Sequence, residues 1–318
     1  MSKKGGNIFL SAYGNNNVID KGIIKLYLDT EKGIIKKKSV IPLNGKSNLI
    51  IEYNDKLITS VQNTEGSTLE FYDKSGKLLY TYKTELFYSY GEVVGDKLLL
   101  SSYASGADSV YDLKKNELQT TVFHKRDGYD KIGKSHYIHF VGEEKIVSVD
   151  NSLQQLYVYK DINLSLKTII DFPKNPEKNI RLMTFHPNGK KAYLNTEKTN
   201  ELLVLDIENF RVIDEILLVD DIETSSGGNA ISRDGKYLCI SLRGRDMIIV
   251  FKNDEYGMPH KIYEFNCGKT PRDLKFVEQY LLVSCTDENS VEVYLINEDT
   301  VSKTGQTEVF QPITFAMK

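Results

Sequence analysis

The chain has 318 residues with 41 basic and 44 acidic side chains, a net charge of -3. Charges of both signs are interspersed, so no basic stripe offers itself to a phosphate backbone, and nucleic acid is excluded as an expected partner. The opening MSKKGGNIFLSAYG has no apolar stretch of signal-peptide length and no run elsewhere approaches a membrane span, so a cytoplasmic protein with no membrane partner is expected.

In chain order, strand-like segments return with a period in the low to middle forties. Asn7 to Tyr13 and Gly22 to Asp29 read as the second and third strands of a first copy that lacks its own first strand. Looser copies follow in DKLITSVQNTEGSTLEFYDKSGK, DKLLLSSYASGADSVYDLKKN and EKIVSVDNSLQQLYVYKD. The clearest are FHPNGKKAYLNTEKTNELLVLD, ISRDGKYLCISLRGRDMIIVFK and KFVEQYLLVSCTDENSVEVYL, in which Asn188-Gly189 and Asp234-Gly235 supply hairpin turns. The apolar residue closing each third strand gives Leu28, Tyr72, Tyr111, Tyr159, Leu205, Phe251 and Tyr294, with steps of 44, 39, 48, 46, 46 and 43. Seven strand-only copies of that length predict an all-β, seven-bladed β-propeller. Glu308 to Met317 is one strand too many at the C-terminus and is expected to return as the missing inner strand of the first blade. No Pro-, Gly- or Ser-rich linker interrupts the repeats, so residues 1–318 are expected to form a single propeller domain.

In a propeller blade the first strand begins, and the second ends, at the same face. His136, Arg181 and Arg272 stand at starts of first strands in the fourth, fifth and seventh blades, and Glu197 and Arg243 at ends of second strands in the fifth and sixth. Cations, a carboxylate and an imidazole at one mouth suit an oxygen-rich anion, because guanidinium groups bind carboxylate or phosphate through paired hydrogen bonds. Cys239, Cys267 and Cys285 lack metal spacing and are expected to be reduced, buried thiols; no metal or other cofactor is expected. His186 belongs to a hairpin turn on the opposite face, and His124 and His260, in outer strands or loops, are assigned no role. Tyr88, Tyr90 and Tyr103 are expected to pack between blades, with Tyr103 the one counted as a substrate contact.

The chain resembles the lactonase family of seven-bladed propellers, which includes propeller-type 6-phosphogluconolactonases and carboxymuconate cyclases. The resemblance runs from Ile8 to Phe315 and is carried by Tyr13 with GIIKLYLDTEKG, Ser135-His136, Arg181 with FHPNGKKAY and Glu197, SRDGKYLCISLRGRD, and GKTPRDLKF. It implies that His136, Arg181, Glu197 and Arg243 carry chemistry, with Glu197 or His136 as the base for water, Arg181 stabilising an oxyanion, and Arg243 with Arg272 holding an acidic group. Gln62 takes the place of a family glutamate and is counted as a substrate contact. Gly227-Gly228 replaces a small-acidic pair, and Lys134 replaces the first of two histidines. The expected activity is hydrolysis of a small anionic sugar lactone. The alternatives are a non-catalytic propeller that binds a metabolite or a protein, and a muconate-type cyclase or isomerase.

Overall fold

The structure is a computed structural model and describes residues 5–142, 145–173, 175–221 and 223–317. Among these, every regular element is a strand, and the 28 strands form seven four-stranded antiparallel sheets, the seven blades that the repeats predict. Two compact units hold them. One runs to Pro42 and resumes over Leu182–Phe315, carrying the first, sixth and seventh blades and most of the fifth. The other spans Leu43–Arg181, carries the second to fourth blades, and takes the last residues from Ala316.

Within a blade, burial falls from the middle strands outward. In the third blade Lys97–Ser102 and Ala107–Asp112 are buried almost throughout, whereas the outer strand Glu117–Phe123 is partly exposed. A sheet covered on both faces needs apolar residues on both, which is why the middle strands read as continuous apolar runs rather than alternating ones. Every residue that marks the repeat is buried, from Leu28 and Tyr111 at 0 % exposure to Tyr72 at 6 %. In six blades that residue also follows directly on a bulge toward the outer strand, as at Phe71/Tyr72, Val158/Tyr159 and Val250/Phe251. The first blade has its bulge at Lys25/Leu26. An extra residue there bends the outer strand and strengthens its twist, so the repeat marker records a recurring backbone device as well as a core position.

The expected hairpin turns are present: Gly189 and Gly235 take φ of 70° and 78°, and their N–H groups bond the carbonyls of His186 and Ser232 at 2.9 Å. His186 lies at its hairpin as expected, with Nδ1 accepting the Asn188 N–H.

The extra C-terminal strand does complete the first blade. Pro312–Phe315 pairs antiparallel with Gly6–Ala12, matching Leu10 to Phe315 and Ser11 to Thr314. It is shorter than the sequence suggests, because Glu308 still belongs to Val301–Glu308, the outer strand of the seventh blade. Asp273, on the inner strand Pro271–Val277, fixes the closing strand: its Oδ2 accepts the Thr314 hydroxyl at 2.9 Å and the Phe315 N–H at 2.8 Å. In the other unit, Met317 exchanges backbone bonds with Ile50 and Glu52 at 2.9 and 2.7 Å.

Candidate functional site

Strand registers place the candidate residues at one end of their sheets. First-strand starts pair with second-strand ends in Ser135 with Asp150, Ser226 with Leu242 and Pro271 with Cys285. His136 and Arg181 belong to one compact unit, and Glu197, Arg243 and Arg272 to the other.

In the latter unit, Glu197 follows the strand Lys191–Thr196 and Arg243 follows Tyr237–Leu242. Arg243 Nη2 donates to Glu197 Oε1 at 2.7 Å and to the Ser226 carbonyl at 3.3 Å. The pair is partly exposed, at 23 % and 19 % for the two side chains. Arg243 Nε is buried and has no hydrogen-bond partner among the described residues. The partly exposed guanidinium, held in place by Glu197, is the part of this corner that an incoming anionic oxygen can meet. The support beneath is buried: Asn195 Nδ2 donates to Ser226 Oγ at 2.7 Å, and Ser226 Oγ donates to the Thr196 carbonyl at 2.7 Å. Arg272 is half-buried beside Pro271, whose carbonyl accepts the Ser241 hydroxyl at 2.7 Å.

The Gly227-Gly228 pair has a steric cause. A Cβ on Gly227 would stand 2.5 Å from Ser241 Oγ and 2.8 Å from the Pro271 carbonyl, and one on Gly228 would stand 2.9 Å from the Leu274 nitrogen. With the inner strands of the sixth and seventh blades this close, the backbone leaves no space for an acidic side chain.

In the other unit, His136 is half-buried on the strand Ser135–Gly142 and packs edge-on against Tyr103, with ring centroids 5.1 Å apart. The Lys134 ammonium stands 5.1 Å from the Tyr103 centroid, a cation–π contact. Arg181 is buried on Ile180–Phe185, and Gln62 is exposed near the end of Lys56–Asn63, where its backbone pairs with Lys46. Tyr88 is fully buried, and Tyr90 packs on Tyr137 at 4.4 Å, so these two are inter-blade packing as expected. No group of three or more His, Cys, Asp or Glu side chains among the described residues is placed to hold a metal ion.

One cluster escaped the sequence. His124, assigned no role above, has a completely buried side chain. Its Nδ1 meets Asp150 Oδ2 and its Nε2 meets Asp108 Oδ2, both at 2.9 Å, while the ring stacks on Tyr157 at 3.7 Å. Asp108 also accepts the hydroxyls of Tyr159 at 2.8 Å, Ser135 at 2.6 Å and Ser148 at 3.0 Å. Burial opposes the imidazolium, yet the Asp108 charge and the bonds to both carboxylates outweigh it and raise the His124 pKa to about 9. The result is a charged rivet between the third and fourth blades. The sequence signal was faint: a histidine beyond an outer strand, one aspartate near the start of a strand and another at the end of a different one.

Comparison with known proteins bears on this arrangement of sheets and corners. The profile of the family described as Lactonase, 7-bladed beta-propeller, matches residues 8–312. The chain belongs to the Lactonase family. A Bacillus subtilis 6-phosphogluconolactonase is 26 % identical over 310 residues, covering 88 % of each chain. Among solved structures, a Bacteroides uniformis protein superposes with a TM-score of 0.86 at 22 % identity, covering 98 % of this chain and 99 % of its own. A Pseudomonas aeruginosa periplasmic gluconolactonase gives 0.82 at 19 % identity over 97 % and 98 %. These likenesses show the seven-bladed fold shared across the Lactonase family. Among the described residues no helix is long and apolar enough to cross a membrane, which says nothing of strands.

Proposed function

We propose that this Lactonase-family protein is a hydrolase that opens a small anionic sugar lactone, of the kind the Bacillus subtilis relative is named for. The observation that carries the proposal is the partly exposed Glu197–Arg243 pair at the corner of two neighbouring blades. Opening a lactone adds water across the acyl bond, moves negative charge onto the carbonyl oxygen, and releases a proton from the acid formed. A fixed guanidinium lowers the energy of that charge, and its planar fork fits a carboxylate or phosphate anchor equally well. Glu197, bound at 2.7 Å to Arg243, is assigned to positioning that guanidinium, and Arg272 of the same unit to a substrate contact. Free Cys239, Cys267 and Cys285 support a reducing compartment such as the cytoplasm.

The test is proton release by the purified chain against 6-phosphogluconolactone and unphosphorylated sugar lactones, corrected for spontaneous hydrolysis. Acceleration that is lost in Arg243→Ala supports the proposal. Rates equal to the blank for every lactone refute it. One observation favours a second reading, a binding propeller without catalysis: Glu197 is engaged by Arg243 rather than free to act on water. Stabilisation by gluconate or 6-phosphogluconate, with no turnover of any lactone, would establish that reading in its place.

A further inference from the structure

Cys285 closes the second strand of the seventh blade, completely buried, and its backbone pairs with Pro271 on one side and Ser290 on the other. Cys267, half-buried, follows the outer strand Pro259–Asn266 of the sixth blade, where its N–H bonds the Asp246 carbonyl at 2.8 Å. The next residue, Gly268, runs against the Cys285 side chain: a Cβ built on Gly268 would stand 3.0 Å from Cys285 Cβ. The Gly268 N–H donates to Glu292 Oε2 at 3.0 Å, which holds the segment there. Both cysteines pack into one apolar cluster with Val283, Phe265 and Tyr294. A sulfur–sulfur bond needs roughly 2.05 Å between the sulfurs, and the close run of Gly268 past Cys285 brings its neighbour Cys267 to the same place in the cluster.

The geometry points to a redox-modifiable dithiol, in which Cys267 and Cys285 join as an intramolecular disulfide when a hydroperoxide is the oxidant. In the first step the Cys267 sulfur, as thiolate, attacks the peroxide oxygen, the O–O bond breaks, and the products are a sulfenic acid and water. In the second the Cys285 sulfur attacks the Cys267 sulfur, the S–O bond breaks, and the departing oxygen leaves as water with the Cys285 proton. Two thiols and one hydrogen peroxide thus give one disulfide and two waters, the sulfurs losing two electrons that the peroxide gains. The order follows from access. Solvent reaches Cys267, whereas its contact with Cys267, burial and the Glu292 charge hold Cys285 as the thiol. The new bond would tie residues 266–268 to a strand whose register partner is Pro271, the neighbour of Arg272. Oxidation therefore acts on the backbone that carries a candidate anion contact, whatever ligand that site takes.

The experiment treats the native full-length chain with stoichiometric hydrogen peroxide, unfolds it in maleimide, and counts labels by intact mass. The chain has three thiols, Cys239, Cys267 and Cys285. The expected result is a fall to a single label on Cys239, a mapped Cys267–Cys285 cross-link, and full relabelling after dithiothreitol. Cys267→Ser is expected to keep both remaining thiols, and Cys285→Ala serves as the second control. Three labels after peroxide, stable oxygen addition at Cys267 with Cys285 still labelled, or a cross-link through Cys239 or between chains would overturn the inference. Should either variant fail to fold, the wild-type cross-link map decides alone.

Discussion

Replacing His124 by Gln removes the cation that Asp108 and Asp150 share, and its cost should depend on pH in a defined direction. The His124 pKa is about 9 in the folded chain against 6.5 as its ordinary value. At 1.36 kcal/mol per unit, that difference amounts to about 3 kcal/mol of folded-state preference for the imidazolium. Because the folded pKa is the higher one, this stability is fully present below 6.5, declines as pH rises, and is gone above about 9. The carboxylates of Asp108 and Asp150, the Tyr159 hydroxyl and the stacked Tyr157 ring all face the imidazole, so the variant also leaves buried acceptors short of a donor. Urea unfolding of wild type and His124→Gln at about pH 6 and about pH 9.5 should give a gap of about 3 kcal/mol or more at the lower pH that shrinks by about that amount at the higher. A gap of constant size across the window would refute the charged rivet and leave His124 as neutral packing.

Arg243→Ala should lower kcat/KM on a turned-over lactone by more than tenfold, about 1.4 kcal/mol or more, while moving the melting temperature little, because the Glu197 pair is partly exposed. Glu197→Gln should have the smaller effect, weighted toward KM, and equal losses in kcat for both would contradict the positioning role. Asp273→Ala deprives Thr314 and Phe315 of their acceptor and should cost about 2 kcal/mol in denaturant, and deletion of residues 311–318 should expose the first blade's edge and drive aggregation in light scattering. A soluble truncation with an unchanged melting curve would contradict that account. Gly227→Ala should destabilise by about 1–3 kcal/mol, since its Cβ would press on Ser241 Oγ and the Pro271 carbonyl; an unchanged urea midpoint would show that the two strands separate freely.

The amino-acid sequence by itself determined the number of blades, the hairpin turns and the closing strand, because these are written in short-range patterns. A strand, a tight turn and a buried apolar or aromatic residue recur at similar spacing, and each is decided by neighbours a few residues away. Corner positions such as Glu197 and Arg243 were legible for the same reason. Their pairing was not, since they are 46 residues apart, about one repeat, and meet only when the fifth and sixth blades pack side by side. The same holds for His124, Asp108 and Asp150, which look like solvated polar residues along the chain. They become a buried charge network only because neighbouring sheets cover them. Gly227-Gly228 looked like the loss of a carboxylate, whereas packing shows that two inner strands approach too closely for one. Burial and lateral contact between blades are properties of the packed sheets, and no local pattern encodes which polar side chain ends up facing another across a seam.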